Sequence, residues 1–217
     1  MKQSIKVALL GATGKAGKYL LQELLANGYN IKSLIRSPKT YTISHPLMEI
    51  VEGDIKDLDT ARQLLEDCDV VMSAIGQNKD DVLISSLATL NIIKAMKEFN
   101  ITRYILLTGS NLEVPGDQKS AKNLEGMAWM KTTFPVFVAD KQKAYKILTN
   151  SSIDWTVVRL PWIEQTDERR GLIVDLQDCL EDLISTTDLA DFLINQITDT
   201  TYVKKAPFVA SKQVSTP

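Results

Sequence analysis

Three glycines at three-residue spacing, Gly11-Ala12-Thr13-Gly14-Lys15-Ala16-Gly17, stand between the apolar run Val7-Ala8-Leu9-Leu10 and a helical stretch over 15–26. Glycine supplies positive φ for a tight turn, lets backbone approach a ligand, and lets a helix pack close to a strand. A strand, a glycine turn and a helix in this order aim the free N–H groups of the first helical turn at an anion. The anion that this context accommodates is the pyrophosphate of a dinucleotide. Gly11, Thr13, Gly14, Lys15, Ala16 and Gly17 are therefore expected at the phosphates.

Strand-like and helix-like segments alternate along the rest of the chain. Strands are expected at 5–10, 31–36, 48–52, 70–74, 104–108 and 155–159, with helices at 58–66, 83–99 and 141–149. Such alternation predicts an α/β, Rossmann-type doubly wound fold with a mostly parallel sheet and helices on both faces. The runs Val7–Leu10 and Ile105–Leu107 do not alternate with polar residues, which is the pattern of strands covered on two sides. At 217 residues with 44% hydrophobic content, a single domain over 1–217 is expected, with a small substrate-side region at its C-terminal end. Ser185-Thr186-Thr187-Asp188 precedes the apolar stretch 189–197 and predicts a capped helix start. The segment 111–120 has turn composition, so it is either a loop over the ligand crevice or a plain surface connection.

A site that prefers an unphosphorylated ribose often ends its second strand with an acidic residue. Here the strand ends Leu34-Ile35-Arg36-Ser37-Pro38, which offers a guanidinium that can pair with a 2′-phosphate. The expected cofactor is NADP(H), with Arg36 and Ser37 at the phosphorylated ribose.

The Gly11-x-x-Gly14-x-x-Gly17 spacing resembles that of the short-chain dehydrogenase/reductase superfamily, particularly its atypical branch. The resemblance covers most of the chain, to about the 187–197 helix. It implies that Asp54 and Ile55, in Gly53-Asp54-Ile55, meet the adenine, although Asp54 reads equally well as a cap for the following helix. It implies that Ala74, Ile75 and Gly76 are the small-residue segment beside the cofactor, and that Thr108 and Pro161 border it. It also makes Ser110 the catalytic serine and Lys141 the lysine that holds the nicotinamide ribose. The family's tyrosine position then falls on Phe137. A phenyl ring has no proton to give, so carbonyl reduction by the tyrosine route is not expected. Tyr145, one turn beyond Lys141, reads as a packing residue before a substitute donor. Trp162 and Ile163 follow Pro161 and offer an apolar wall for a planar ligand or, equally, core residues.

The formal net charge of −2, from 25 basic and 27 acidic residues, gives no basic field for nucleic acid or an anionic membrane. Cys68 and Cys179 follow no metal-ligand spacing and point to a reducing, cytoplasmic setting, with one bridge left open. His45 is the lone histidine, so no metal site is expected. The carboxylates Asp178, Glu181 and Asp182 read as solvated charge. About sixty residues follow Arg159, which leaves an open pocket or one completed by a second subunit. The resemblance to small flavin/biliverdin-type reductases implies an NADPH-dependent oxidoreductase acting on a planar conjugated acceptor such as a flavin or quinone. The resemblance to regulators of the same branch implies the rival, a non-catalytic NADP(H) sensor that binds a protein partner.

Overall fold

The computed structural model describes residues 5–38, 41, 43–76 and 83–213. The chain runs β1 (Lys6–Leu10), α1 (Gly17–Ala26), β2 (Asn30–Ile35), β3 (Met48–Glu52), α2 (Leu58–Leu65), β4 (Val70–Ser73) and α3 (Ile84–Glu98). It continues with β5 (Arg103–Gly109), α4 (Ala121–Thr133), α5 (Pro135–Thr149), β6 (Asp154–Leu160), β7 (Trp162–Glu164), β8 (Leu172–Asp175), β9 (Leu183–Ser185), α6 (Thr186–Asn195) and β10 (Phe208–Ser211). The main sheet has the order β3-β2-β1-β4-β5-β6-β10-β8, while β7 and β9 form a separate parallel pair. Among the described residues, β8 alone runs antiparallel to its neighbour in this sheet. The order reverses between β1 and β4, and that reversal opens a crevice at the carboxyl ends of these strands.

The unalternating run in β1 has a direct explanation. Ala8 and Leu10 enter a core with Leu64, Ile92 and Leu148, beneath α2, α3 and α5. Val7 and Leu9 enter a second core with Leu20, Leu24 and Leu193, beneath α1 and α6. Each strand face needs its own apolar side chain, so the polar alternation disappears.

Several boundaries differ from expectation. The first helix starts at Gly17 and not at Lys15, because the Gly14 amide donates to the Gly11 carbonyl at 2.9 Å and 11–14 form a turn. The expected 141–149 helix begins six residues earlier, with Pro135 in its first turn, where a missing N–H costs nothing. Helix α4 was not expected, since it buries no residue and therefore carries no apolar stripe. At the C-terminal end, Ser185 does cap α6, its side chain accepting from the Asp188 amide.

The segment 111–120 is a loop anchored from beneath. Arg159 is fully buried, and its Nη1 donates to both Asp117 carboxylate oxygens at 2.7 and 2.8 Å. Its Nε donates to the Ala206 carbonyl at 2.8 Å, and the guanidinium lies 3.5 Å from the Phe208 ring centroid. Lys119 Nζ donates to the Ser110 and Leu112 carbonyls at 3.1 and 2.8 Å. These contacts fix the backbone from Ser110 to Asp117. Asp117→Ala leaves a buried guanidinium without its counter-charge and is expected to destabilise the fold by about 3–5 kcal/mol in urea denaturation. A loss below about 1 kcal/mol, the value of an exposed pair, would show that this ion pair does not hold the loop.

Candidate nucleotide cleft and adjoining cavity

A cleft of about 680 Å³ opens at the carboxyl ends of β1, β2 and β4. Gly11 lies at its base with φ +82°, and a β-carbon there would stand 2.6 Å from the Ala74 carbonyl carbon and oxygen. A β-carbon on Gly17 would stand 1.9 Å from the Gly11 carbonyl oxygen. Gly11, Thr13 and Gly14 line the cleft, as do Ala74, Ile75 and Gly76 from the end of β4. The other three turn residues do not: Lys15 points to solvent, while Ala16 and Gly17 are buried behind the turn. The reason is that Gly17 is spent on close packing of α1 against the β1 exit.

Arg36 and Ser37 close the β2 end of the cleft beside Tyr41 and Ile43. The Tyr41 hydroxyl is buried without a hydrogen-bond partner among the described residues, and burial pushes its pKa up, so it stays a donor. Lys18 also lines the cleft from the first turn of α1, where a cation opposes the helix dipole unless an anion sits nearby. The sequence reading missed Lys18 and Tyr41. Lys18 was legible as the residue one helical turn beyond Gly14, whereas nothing local marks Tyr41.

Asp54 and Ile55 form the third wall. The cap alternative for Asp54 fails, because Asp57 caps α2 by accepting from the Asp59 amide. Asp54 Oδ1 instead accepts from the Lys56 amide at 2.9 Å and tightens the loop. A glycine cradle, two cations and an unpartnered buried hydroxyl fit a phosphorylated dinucleotide. Gly11, Thr13 and Gly14 would hold its pyrophosphate, and Arg36 with Ser37 its phosphorylated ribose.

A second cavity of about 320 Å³ lies beyond the ends of β5 and β6. Ser110, Phe137, Lys141, Pro161 and Trp162 border it, together with Met127, Trp129 and Met130 of the unforeseen α4. Thr108 lies outside both cavities. Its buried Oγ1 has no hydrogen-bond partner among the described residues, and the residue borders a small interior pocket of about 20 Å³ with Ser73, Tyr104 and Lys141. That volume suits one water molecule.

Trp162 is 72% exposed, so its reading as a core residue is overturned. Ile163 does the opposite and packs against the α1/α6 core, which removes it from the wall. Tyr145 meets Trp155 edge-on at 5.8 Å and serves packing. Asp178 is not plain solvated charge, since it accepts from the Ser120 amide at 2.9 Å and from Asn123 Nδ2 at 2.6 Å. Asp182 pairs with Lys122 at 2.6 Å across the cavity mouth. Together these contacts tie the start of α4 to the 178–182 segment.

Lys141 Nζ lies 4.4 Å from the Phe137 ring centroid, one helical turn away on α5. Burial pushes the Lys141 pKa down to about 8, with Asp140 opposing the fall. Asp140 is itself buried and accepts from the Ser85 and Ser86 amides at 2.9 and 3.3 Å, at the start of α3. This tertiary cap fixes the register of α5, and with it the position of Lys141.

The fold and the cleft together define a dinucleotide-binding Rossmann protein. Residues 11–200 match the NAD(P)H-binding family, and the chain belongs to it. Among relatives, an uncharacterised chloroplastic protein of Arabidopsis thaliana is 24% identical over 194 residues, covering 85% of this chain and 68% of that protein. Protein TIC 62, chloroplastic, of the same plant is 26% identical, covering 82% of this chain but 31% of that protein. The chain thus spans under a third of the longer relative. Among solved structures, a short-chain dehydrogenase/reductase from Veillonella parvula in complex with NADP has a TM-score of 0.81 at 19% identity, covering 96% of this chain and 95% of that one. Among the described residues, no helix is long and apolar enough to cross a membrane.

The lowered Lys141 pKa has a signed consequence. The folded state holds this proton less tightly than the unfolded chain, so the penalty is complete below about pH 8 and fades as pH rises toward the ordinary lysine value of 10.5. Lys141→Met is therefore expected to stabilise the cofactor-free protein at pH 7 by about 1–2 kcal/mol, with the gain shrinking by pH 10. A gain that does not change with pH, measured by urea titration, would contradict this.

Proposed function

We propose that the chain is an NADPH-dependent reductase of a planar conjugated acceptor, with the 320 Å³ cavity as the acceptor site. The observation that carries this reading is Lys141 beside Phe137 in a cavity walled by Trp129, Trp162, Met127 and Met130. Aromatic and thioether side chains suit a flat, polarisable ring system. When bound, NADPH supplies a hydride. An acceptor that delocalises the resulting negative charge can be protonated by water, so it tolerates a phenyl ring where a proton donor would otherwise stand, whereas a simple ketone does not. In this reading Lys141 orients the nicotinamide ribose and Ser110 lies at the acceptor, with its backbone fixed by Lys119. Two free, buried thiols, Cys68 and Cys179, fit a reducing compartment such as the cytoplasm.

The same Phe137 also favours a second reading, a sensor that binds NADP(H) without turnover and reports its occupancy to a protein partner. Oxidation of NADPH at 340 nm with a panel of flavins, quinones and linear tetrapyrroles separates the two. Turnover well above the non-enzymatic background supports the reductase, while tight binding without turnover supports the sensor. A reduction rate with a simple ketone equal to that with the conjugated acceptors would remove the chemical basis of the assignment.

Cofactor choice is read from Arg36. Arg36→Glu removes a charge-assisted pair with the 2′-phosphate and adds repulsion, so NADPH is expected to bind about 100-fold more weakly, with NADH changed less than threefold. Equal losses for the two cofactors in calorimetric titration would refute a role at the 2′-phosphate.

A further inference from the structure

The loop that walls the adenosine end of the cleft is tied to a distant helix by one side chain. Asn91 of α3 is buried, and its Nδ2 donates to the Ile55 and Lys56 carbonyls, each at 2.9 Å. Carbonyls only accept, so the two of them fix which end of the Asn91 amide faces the loop. Two further hydrogen bonds on this loop are local, the Lys56 amide to Asp54 Oδ1 and the Asp57 amide to the Asp54 carbonyl, both at 2.9 Å, while Ile55 packs into the core beneath α3. They close a turn but do not set where the turn stands relative to β1 and β4. Gly53 adds a steric limit on the α2 side, because a β-carbon there would lie 2.6 Å from Thr60 Oγ1. Asn91 supplies the tie on the α3 side.

We infer that Asn91 is a positioning residue for cofactor recognition, which holds Asp54 and Ile55 at the distance from the Gly11–Gly14 turn that an adenosine moiety requires. The inference rests on the dinucleotide reading of the cleft. Asn91 does not line the cleft. Its effect runs through the two carbonyls. Leucine has the same number and branching of side-chain heavy atoms but no donor, so it occupies the same position on α3 while releasing the loop.

The test is Asn91→Leu, titrated with NADPH and with 2′,5′-ADP, which carries the adenosine and its 2′-phosphate but no nicotinamide. Both ligands are expected to bind about tenfold more weakly, since two neutral hydrogen bonds that order the site are lost. A control separates positioning from general destabilisation. Ile93→Ala, on the same helix and buried in the α2/α3 core, is expected to lower the Tm while leaving both affinities within twofold. Should Asn91→Leu fail to fold, Asn91→Thr retains one donor and is expected to lose about threefold.

Affinity within twofold of wild type in the foldable Asn91 variant would overturn the inference. So would an equal loss of affinity in Ile93→Ala. Wild-type protein that binds neither NADPH nor 2′,5′-ADP would overturn the dinucleotide reading and this inference with it, an outcome distinct from normal wild-type binding and an unaffected variant.

Discussion

The contact on which the site depends is the approach of α1 to the β1 exit, where a β-carbon on Gly17 would fall 1.9 Å from the Gly11 carbonyl oxygen. No other side chain fits there. The approach brings the start of α1 down onto the crevice between β1 and β4, and it leaves Gly11, Thr13 and Gly14 as the exposed face of the turn. The same helix then buries Leu20, Leu21 and Leu24 in the core shared with α6, so the phosphate turn is backed by a rigid element. A turn held this tightly presents its amides without having to reorganise, and preorganisation of that kind favours anion binding.

Legibility in the sequence followed burial. Strands β1 and β5 were readable because both faces are covered, and α6 because Ser185 and its apolar run give a cap and a period together. Helix α4 was not readable, since none of its thirteen residues is buried and no period marks it. The same helix contributes Met127, Trp129 and Met130 to the second cavity, so part of the candidate acceptor wall was invisible for the same physical reason. Pairings over long separations were equally hidden. Asp117 with Arg159 and Asp140 with the Ser85 and Ser86 amides are charges that only the fold brings together.

Lys141 and Arg159 show two treatments of a buried cation. Arg159 has a carboxylate that accepts through both oxygens, two carbonyl acceptors and an aromatic face, which offset much of its removal from water, although burial still pushes its pKa down. Lys141 has a phenyl ring at 4.4 Å and a carboxylate, that of Asp140, which already accepts from two backbone amides. Fewer acceptors surround its ammonium among the described residues, and burial pushes its pKa down to about 8. Lys141 borders the second cavity, so its remaining N–H groups face a space that a ligand could enter.

The nucleotide cleft and the second cavity have no lining residue in common. The first is built by the ends of β1, β2 and β4 with the loop after β3, and the second by the ends of β5 and β6 with α4 and α5. A small interior pocket shares Ile75 with the first lining and Lys141 with the second. Substitutions in α4 or the 178–182 segment can thus reshape the second cavity while the phosphate turn and Arg36 stay as they are. Dinucleotide binding is fixed by close backbone packing, which admits few alternatives. On its α4 side the second cavity is walled by a helix that buries no residue, and its specificity is correspondingly free to vary.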